Sequence, residues 1–454
     1  MAGTAAMTLW MAIWWITEVV DLGITSLLPI VLLPFLGIMD TASVSQQYME
    51  QTIFLFMGGF FLAFAMEKWK LHQRLAYAII QRAGATPIRV LLGIMTTTFL
   101  ISMWISNTAT TLMMLTAVMA IINHDQLFED HSRESMATGY LLALTYTASI
   151  GGLATIVGTP TNMILVGFTD KLYPEENPVT FTSWFSFGFP FAFLLAIAAF
   201  FIIRHRYFKQ GGNTPFDRSF IRNQQESLGI MTYEEKIVLF IFLFTVLAWF
   251  TRTSIDFGNF SMPGWSSWFN NGKMIKDSTI AILSSLFLFL WPSRSQTSST
   301  LLSWKDVSKL PFRIILLFGS GFAIAEAFQV SGLAEKMATA LTLISGMPSW
   351  LLVLVIAALV TLLSEFASNV ASIQLMLPIL APLSVSLQIN PLLLMIPATI
   401  SASFGYMMPV ATAPNTIVFG TGKVPVKDMV RTGLVLNITA IILLALYTWL
   451  REGV

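Results

Sequence analysis

Two short stretches carry residues able to do chemistry inside an otherwise apolar chain. Ser106-Asn107-Thr108 sits within "FLISMWISNTATTLMMLTAVMA", and Ser368-Asn369-Val370 within "LLSEFASNVASIQLMLPILAPL". A serine hydroxyl and an asparagine amide oxygen are hard, neutral oxygen ligands, and carbonyls freed at a kink add more oxygens. Such a set suits Na⁺, which needs oxygens rather than formal charge. Ser102 lies one helical turn before Ser106, and Ser364 stands in the same relation to Ser368, so both members of each pair can offer oxygens at the end of one helical leg. Further on, "GTPTN" (158–162) and "ATAPN" (411–415) each break a helix. Gly158 permits unusual dihedrals, and a proline such as Pro160 has no backbone N–H to donate. The exposed carbonyls of each break could close a cage around one cation. The asparagine amide nitrogens, the Thr108 hydroxyl and nearby helix N-termini are donors instead, and donors with positive dipole ends suit an anion.

The two sets are copies of one another. An offset of 262 residues pairs Ser102 with Ser364, Ser106 with Ser368, Asn107 with Asn369, Met114 with Met376 and Leu115 with Leu377. The same offset pairs Phe56, Gly59, Phe60 and Ala63 with Phe318, Gly321, Phe322 and Ala325. "GTPTN" pairs with "ATAPN" at 253, as one change of loop length allows. The repeated unit reads span, span, long span, hairpin, broken span, span. Each copy crosses the membrane an odd number of times, so the copies lie in opposite orientation. This is the inverted-repeat plan of secondary transporters, whose binding sites form at broken helices near the midplane.

The elements follow from composition. The chain has 454 residues, 55% hydrophobic and 11% charged, against about 25% charged in soluble proteins. An all-α polytopic membrane protein of about ten spans is the fold class. Apolar segments fall at 5–19, 22–38, 52–80, 138–168, 181–208, 234–251, 277–292, 311–343, 391–421 and 433–450. The stretches 87–123 and 349–387 carry the Ser-Asn pairs at their centres and read as re-entrant hairpins. The first repeat covers 1–210 (scaffold helices within 5–80, hairpin 87–123, broken helix 138–168, last span 181–208), a cytoplasmic connection 211–233, and the second repeat 234–454 (hairpin 349–387, broken helix 391–421). Lysines and arginines in 204–233, 293–313, 68–89 and after 421 put those regions in the cytoplasm. "TDKLYPEENPVT" is external, as are both termini; the acid-rich segment 124–135 fits its cytoplasmic place poorly. No cysteine is present, which removes disulfides and thiolate chemistry, and the four histidines form no ligand pattern. No basic stripe points to nucleic acid.

Other features have plainer readings. The small residues of "FLFMGGFFLAFA" and "LLFGSGFAIAEA" allow close helix packing. The basic amphipathic stretch 66–82 reads as a helix on the cytoplasmic surface. Trp10, Trp14, Trp15, Trp265, Trp268 and Trp449 read as interfacial anchors. Glu18, Glu326 and Glu365 lie in or near apolar segments and are the candidates for proton coupling.

"ISNTATTLMM" with "GGLATIVGTPTNMI", "SEFASNVASIQLMLPI" with "MMPVATAPNTIVFG", and the opening "AIWWITEVVDLGITSLLPIVLLPFLGIMD" resemble the divalent anion/sodium symporter family over nearly the whole chain. The resemblance implies import of dicarboxylates, tricarboxylates or sulfate, driven in many members by Na⁺. It implies a homodimer in which a transport domain slides like an elevator against a fixed scaffold. Residue by residue, Ser102, Ser106, Asn107 and Gly158 match a first Na⁺ site, and Ser364, Ser368, Asn369 and Ala411 a second. Asn107, Thr108, Asn369 and Thr412 match the substrate site, with Thr159 and Pro414 alongside. Val370 stands where the family's second motif has Thr, which removes a hydroxyl, and Ala413-Pro414 replaces a double proline. The family has a further helix before "AIWWITE", and that first helix is expected to be absent from this chain.

The expectation is therefore a sodium-coupled symporter importing C4-dicarboxylates such as succinate, multi-pass in the inner (plasma) membrane, with the lipid bilayer as its setting. Sodium-independent dicarboxylate exchange and sodium/sulfate symport on the same fold remain open. No acid/base dyad, activated nucleophile or metal cluster in the sequence supports an enzyme.

Overall fold

A chain this apolar can satisfy its backbone within lipid only by hydrogen bonding to itself, and helices do that within one segment. The computed structural model describes residues 1–83, 86–123, 130–173, 179–208, 226–256, 261–295, 298–340 and 347–452. Over these the protein is all-α apart from a two-residue antiparallel ribbon, Ile255–Asp256 with Ser261–Met262. Six helices are long and apolar enough to cross a membrane. Five shorter apolar segments include Pro87–Ser102, Asp277–Leu290 and Leu392–Ser401. Parts of the connection 211–233, of segment 124–135 and of the loop "TDKLYPEENPVT" lie outside the described residues.

The repeat is visible in where helices begin. The first hairpin has legs Pro87–Ser102 and Asn107–Asn123, and the second Ser349–Phe366 and Asn369–Ser386. Corresponding legs start 262 residues apart. By length and composition alone the legs of the second hairpin could each cross a bilayer. The first broken helix runs Asp130–Gly152, a 3₁₀ turn Ile156–Gly158, then Pro160–Leu172. The second runs Leu392–Ser401, then Ala413–Phe419, and the two post-break helices start 253 residues apart. Each restart has its proline in the first turn, where no backbone donor is needed.

Two long apolar segments that read as single spans in the sequence are split. Segment 52–80 divides at Lys70, φ 57°, into Gln51–Lys68 and Leu71–Ala83. Segment 311–343 divides at Gly332, φ 71°, into Phe312–Val330 and Leu333–Ala340. Lys70 and Gly332 are themselves 262 residues apart, so both repeats turn the chain by the same left-handed residue. The amphipathic stretch 66–82 accordingly begins in the last turn of Gln51–Lys68, and its remainder is the separate helix Leu71–Ala83.

Packing supports a two-fold relation between the halves. The rings of Phe56 and Phe318, equivalent positions and both fully buried, meet edge to face at 5.0 Å between centroids. A residue that touches its own counterpart lies beside the axis relating them. The small residues do allow close approach: a Cβ on Gly58 would stand 2.5 Å from that of Ala281, and one on Gly319 would stand 2.3 Å from the Tyr48 ring. The basic regions are drawn together by polar links. Lys68 pairs with Asp306 at 3.0 Å, and Arg74 pairs with Glu235 at 3.0 Å while donating to the carbonyls of Leu228 and Gly229. Arg206 faces Asp428 at 3.7 Å.

Candidate functional site

The first site is built where the first hairpin tip meets the first break. Ser102 ends the inbound leg, fully buried, with its hydroxyl 2.6 Å from the Ala148 carbonyl and 2.7 Å from Asn107 Oδ1. One hydroxyl thus joins both sides of the tip to the Asp130–Gly152 helix and orients the Asn107 amide. Ser106 receives the Ala109 N–H at 3.3 Å, capping the outbound leg. The spot that a Cβ on Gly152 would fill lies 2.6 Å from Asn107 Oδ1 and 3.1 Å from the Gly158 carbonyl. Two uncharged oxygens therefore converge there, and only the absence of a side chain leaves them room. That arrangement fits a small cation that prefers neutral oxygens.

The second site repeats this plan. Ser364 is fully buried, its hydroxyl 2.7 Å from Asn369 Oδ1 and hydrogen-bonded to the Ala402 carbonyl. Ser368 receives the Ala371 N–H at 3.2 Å. A Cβ on Gly405 would stand 3.0 Å from that of Ala411, 3.2 Å from Thr412 Cγ2 and 3.5 Å from the Ser364 carbonyl. Ser364, Ala411 and Thr412 are thereby brought to one place. Thr412 caps Ala413–Phe419 by accepting the Asn415 N–H at 3.3 Å.

The outbound legs exchange partners across the repeats. Asn107–Asn123 packs on Ala413–Phe419, and Asn369–Ser386 packs on Pro160–Leu172. Asn107, Thr108, Asn369 and Val370 are half-buried at the tips, whereas Thr159, Thr412 and Pro414 are buried in the breaks. Thr159 and Thr161 hydroxyls lie 3.4 Å apart, and Thr161 reaches Ser403 of the other repeat at 3.2 Å. Among the described residues no hydrogen bond joins Asn107 or Thr108 directly to Asn369 or Val370. Ser106 faces a cleft shared with Gly158, Pro160, Trp104 and, at its edge, the exposed Glu67.

Several important residues lay outside the site read from sequence. Asn162 donates to the Gly152 and Thr155 carbonyls at 3.1 and 2.8 Å, and Asn415 donates to the Gly405 and Met408 carbonyls at 2.9 and 3.0 Å. Each clamps its break closed. Their only signal was to be the last letter of "GTPTN" and "ATAPN". Glu365, a candidate for proton coupling, accepts the N–H groups of Met407 and Met408, each at 2.9 Å, and the Asn437 amide at 2.6 Å. Both its oxygens are engaged in holding the second break against the last helix, which is the work of a strut. Glu326 is ion-paired with Lys171 at 2.8 Å, and Glu18 is an exposed left-handed helix end, φ 49°.

The chain is similar to known membrane transporters over nearly its whole length. The family model of the sodium:sulfate symporter transmembrane region matches residues 2–451. The sodium-dependent dicarboxylate transporter SdcS of Staphylococcus saprophyticus is 40% identical, over 98% of this chain and 85% of its own length. The human Na(+)/dicarboxylate cotransporter 3 is 35% identical, over 97% of this chain and 86% of its own. Among solved structures, Neisseria gonorrhoeae MtrF superposes with a TM-score of 0.59 at 14% identity, covering 90% of this chain and 82% of that one. The YdaH transporter of Alcanivorax borkumensis also gives 0.59, at 15% identity, covering 89% and 85%. These two likenesses concern the fold.

Proposed function

We propose that this chain, which belongs to the sodium:sulfate symporter family, is a sodium-coupled symporter importing C4-dicarboxylates such as succinate across the plasma membrane. The observation that carries the reading is the matching pair of hairpin tips, each with a Ser hydroxyl on its Asn amide oxygen, set beside a helix break clamped by a second Asn. The names of relatives as similar as SdcS support both the ion and the substrate class.

Ser102, Ser106, Asn107 and the Gly158 carbonyl hold one Na⁺; Ser364, Ser368, Asn369 and the Ala411 carbonyl hold the other. Asn107, Thr108, Asn369, Val370, Thr159, Thr412 and Pro414 surround the dicarboxylate. A dianion within the membrane is costly, and none of these residues is cationic to offset it. The two cations then supply the positive charge, so anion affinity rises with Na⁺, and Na⁺ affinity rises with anion by the same factor. Sodium binding first orders the tips and creates the anion site.

Translocation follows the elevator scheme in a homodimer. The moving body comprises the hairpins, the broken helices and the two long helices Phe181–Tyr207 and Val426–Glu452. The left-handed turns at Lys70 and Gly332 join it to the scaffold. Purified protein in liposomes tests the function. Succinate uptake should require an inward Na⁺ gradient and vanish in choline, sulfate should compete weakly, and Asn107→Ala and Asn369→Ala should each abolish uptake in folded protein. Equal uptake in choline, or succinate counterflow without Na⁺, would replace symport by exchange.

A further inference from the structure

The two cages are built alike, but their clamps are not held alike. Asn415 Oδ1 accepts a hydrogen bond from the Thr145 hydroxyl at 2.7 Å. Thr145 belongs to the other repeat, on Asp130–Gly152, and is fully buried. Asn162 Oδ1, the counterpart oxygen, is buried and has no partner among the described residues. The position matching Thr145 is again a threonine: Thr145 lies three residues before Ala148, whose carbonyl receives Ser102, and Thr399 lies three before Ala402, whose carbonyl receives Ser364. Thr399, however, donates to Met395 of its own helix at 2.8 Å. The same side chain is used across the repeats once and not twice.

We infer that Thr145 is a positioning residue that ties the second cation site to the first. The inference rests on the sodium-coupled reading above. The connection is contiguous: Asn107, Ser102 and the Ala148 carbonyl on one side, then one helical turn to Thr145, then Asn415 and the two carbonyls it clamps. Ordering the first tip by a cation fixes the Asp130–Gly152 helix beside it. That helix, through Thr145, fixes which end of the Asn415 amide faces the break. Without the hydroxyl, Asn415 keeps its place but loses the bond that orients it, and the second cage forms less readily. The counterpart bond, from Thr399 to Asn162, is absent among the described residues.

The test is the Na⁺ dependence of succinate uptake by the full chain in liposomes. Thr145→Val keeps the shape and removes the donor. It should raise the half-saturating Na⁺ concentration about fivefold, the size expected for one buried hydrogen bond, and lower the Hill coefficient toward one. Thr145→Ser should restore both, and Thr145→Cys, a weaker donor, should fall between. Thr147→Val is the control: its buried hydroxyl on the same helix has no partner among the described residues, so neither quantity should move. The inference is overturned if Thr145→Val or, should that variant not fold, Thr145→Cys leaves both quantities at wild-type values. It is equally overturned if Thr147→Val shifts them as much. Wild-type uptake that ignores Na⁺ would instead remove the sodium-coupled reading itself.

Discussion

Asn162 and Asn415 each donate from their amide to the carbonyls of the residues ten and seven positions before them. They stand 253 residues apart in sequence, and the local geometry is the same. Replacing either by Ala takes the side-chain donor from the buried Gly152 or Gly405 carbonyl, at about 1–3 kcal/mol, while the Thr155 and Met408 carbonyls keep the N–H groups of Gly158 and Ala411. Asn162→Ala and Asn415→Ala should lower the unfolding midpoint in detergent by several degrees and remove most of the stabilisation that added Na⁺ gives. Thermal scans with and without Na⁺ check this; an unchanged Na⁺ response would mean that the clamps do not shape the cages.

Gly152 and Gly405 occupy matching places but should respond differently to a methyl group. At Gly152 the added carbon would press on Asn107 Oδ1 at 2.6 Å, whereas at Gly405 it would meet carbon atoms of Ala411 and Thr412 at 3.0 and 3.2 Å. Gly152→Ala should cut Na⁺-driven uptake by roughly tenfold or more, and Gly405→Ala by roughly threefold or less, since displaced carbon neighbours can yield. Initial rates at saturating Na⁺ decide it, and equal losses would contradict the asymmetry.

Val370 is half-buried at the second tip, where the first tip presents Thr108. Val370→Thr adds a donor of nearly the same shape. The succinate KM should fall about two- to fivefold, the range for one modest hydrogen bond, with little change in the Na⁺ requirement. A higher KM would place this side chain against apolar neighbours rather than the carboxylate.

Lys171 and Glu326 bridge the proposed moving body and the scaffold at 2.8 Å, and Gln51 reaches Asp170 beside them at 3.1 Å. The ion pair is partly exposed, so screening limits it to about 0.2–1 kcal/mol. Glu326→Gln should therefore change turnover by no more than about fivefold while leaving the succinate KM within about twofold. A shift in KM with unchanged turnover would assign the pair to binding instead.

Much of this architecture can be read from residue types. Hairpin legs starting at Pro87 and Ser349, and at Asn107 and Asn369, follow from one offset and from prolines and polar tips in apolar runs. The breaks follow from Pro160 and Pro414. Other features carry weak local signals. Gly332 marks its turn in sequence, but Lys70 adopts the same left-handed conformation with nothing in its type to announce it. The Asp130–Gly152 helix starts in polar residues that hydropathy assigns to a loop, well before 138. Segment 22–38 is divided into Leu22–Thr25 and Leu28–Phe35, with Pro29 at the restart. The roles of Asn162, Asn415, Glu365 and Thr145 depend on partners that only folding brings near; Thr145 and Asn415 are 270 residues apart. Hydrogen bonds of that span leave no periodicity to detect.

The meeting of Phe56 with Phe318 across the axis has its own consequence. A ring that abuts its twin cannot grow or shrink alone, because any space taken on one side must be surrendered on the other. Drift in either copy is felt at once as a misfit in its mate. A substitution at this seam therefore calls for a matching change across it.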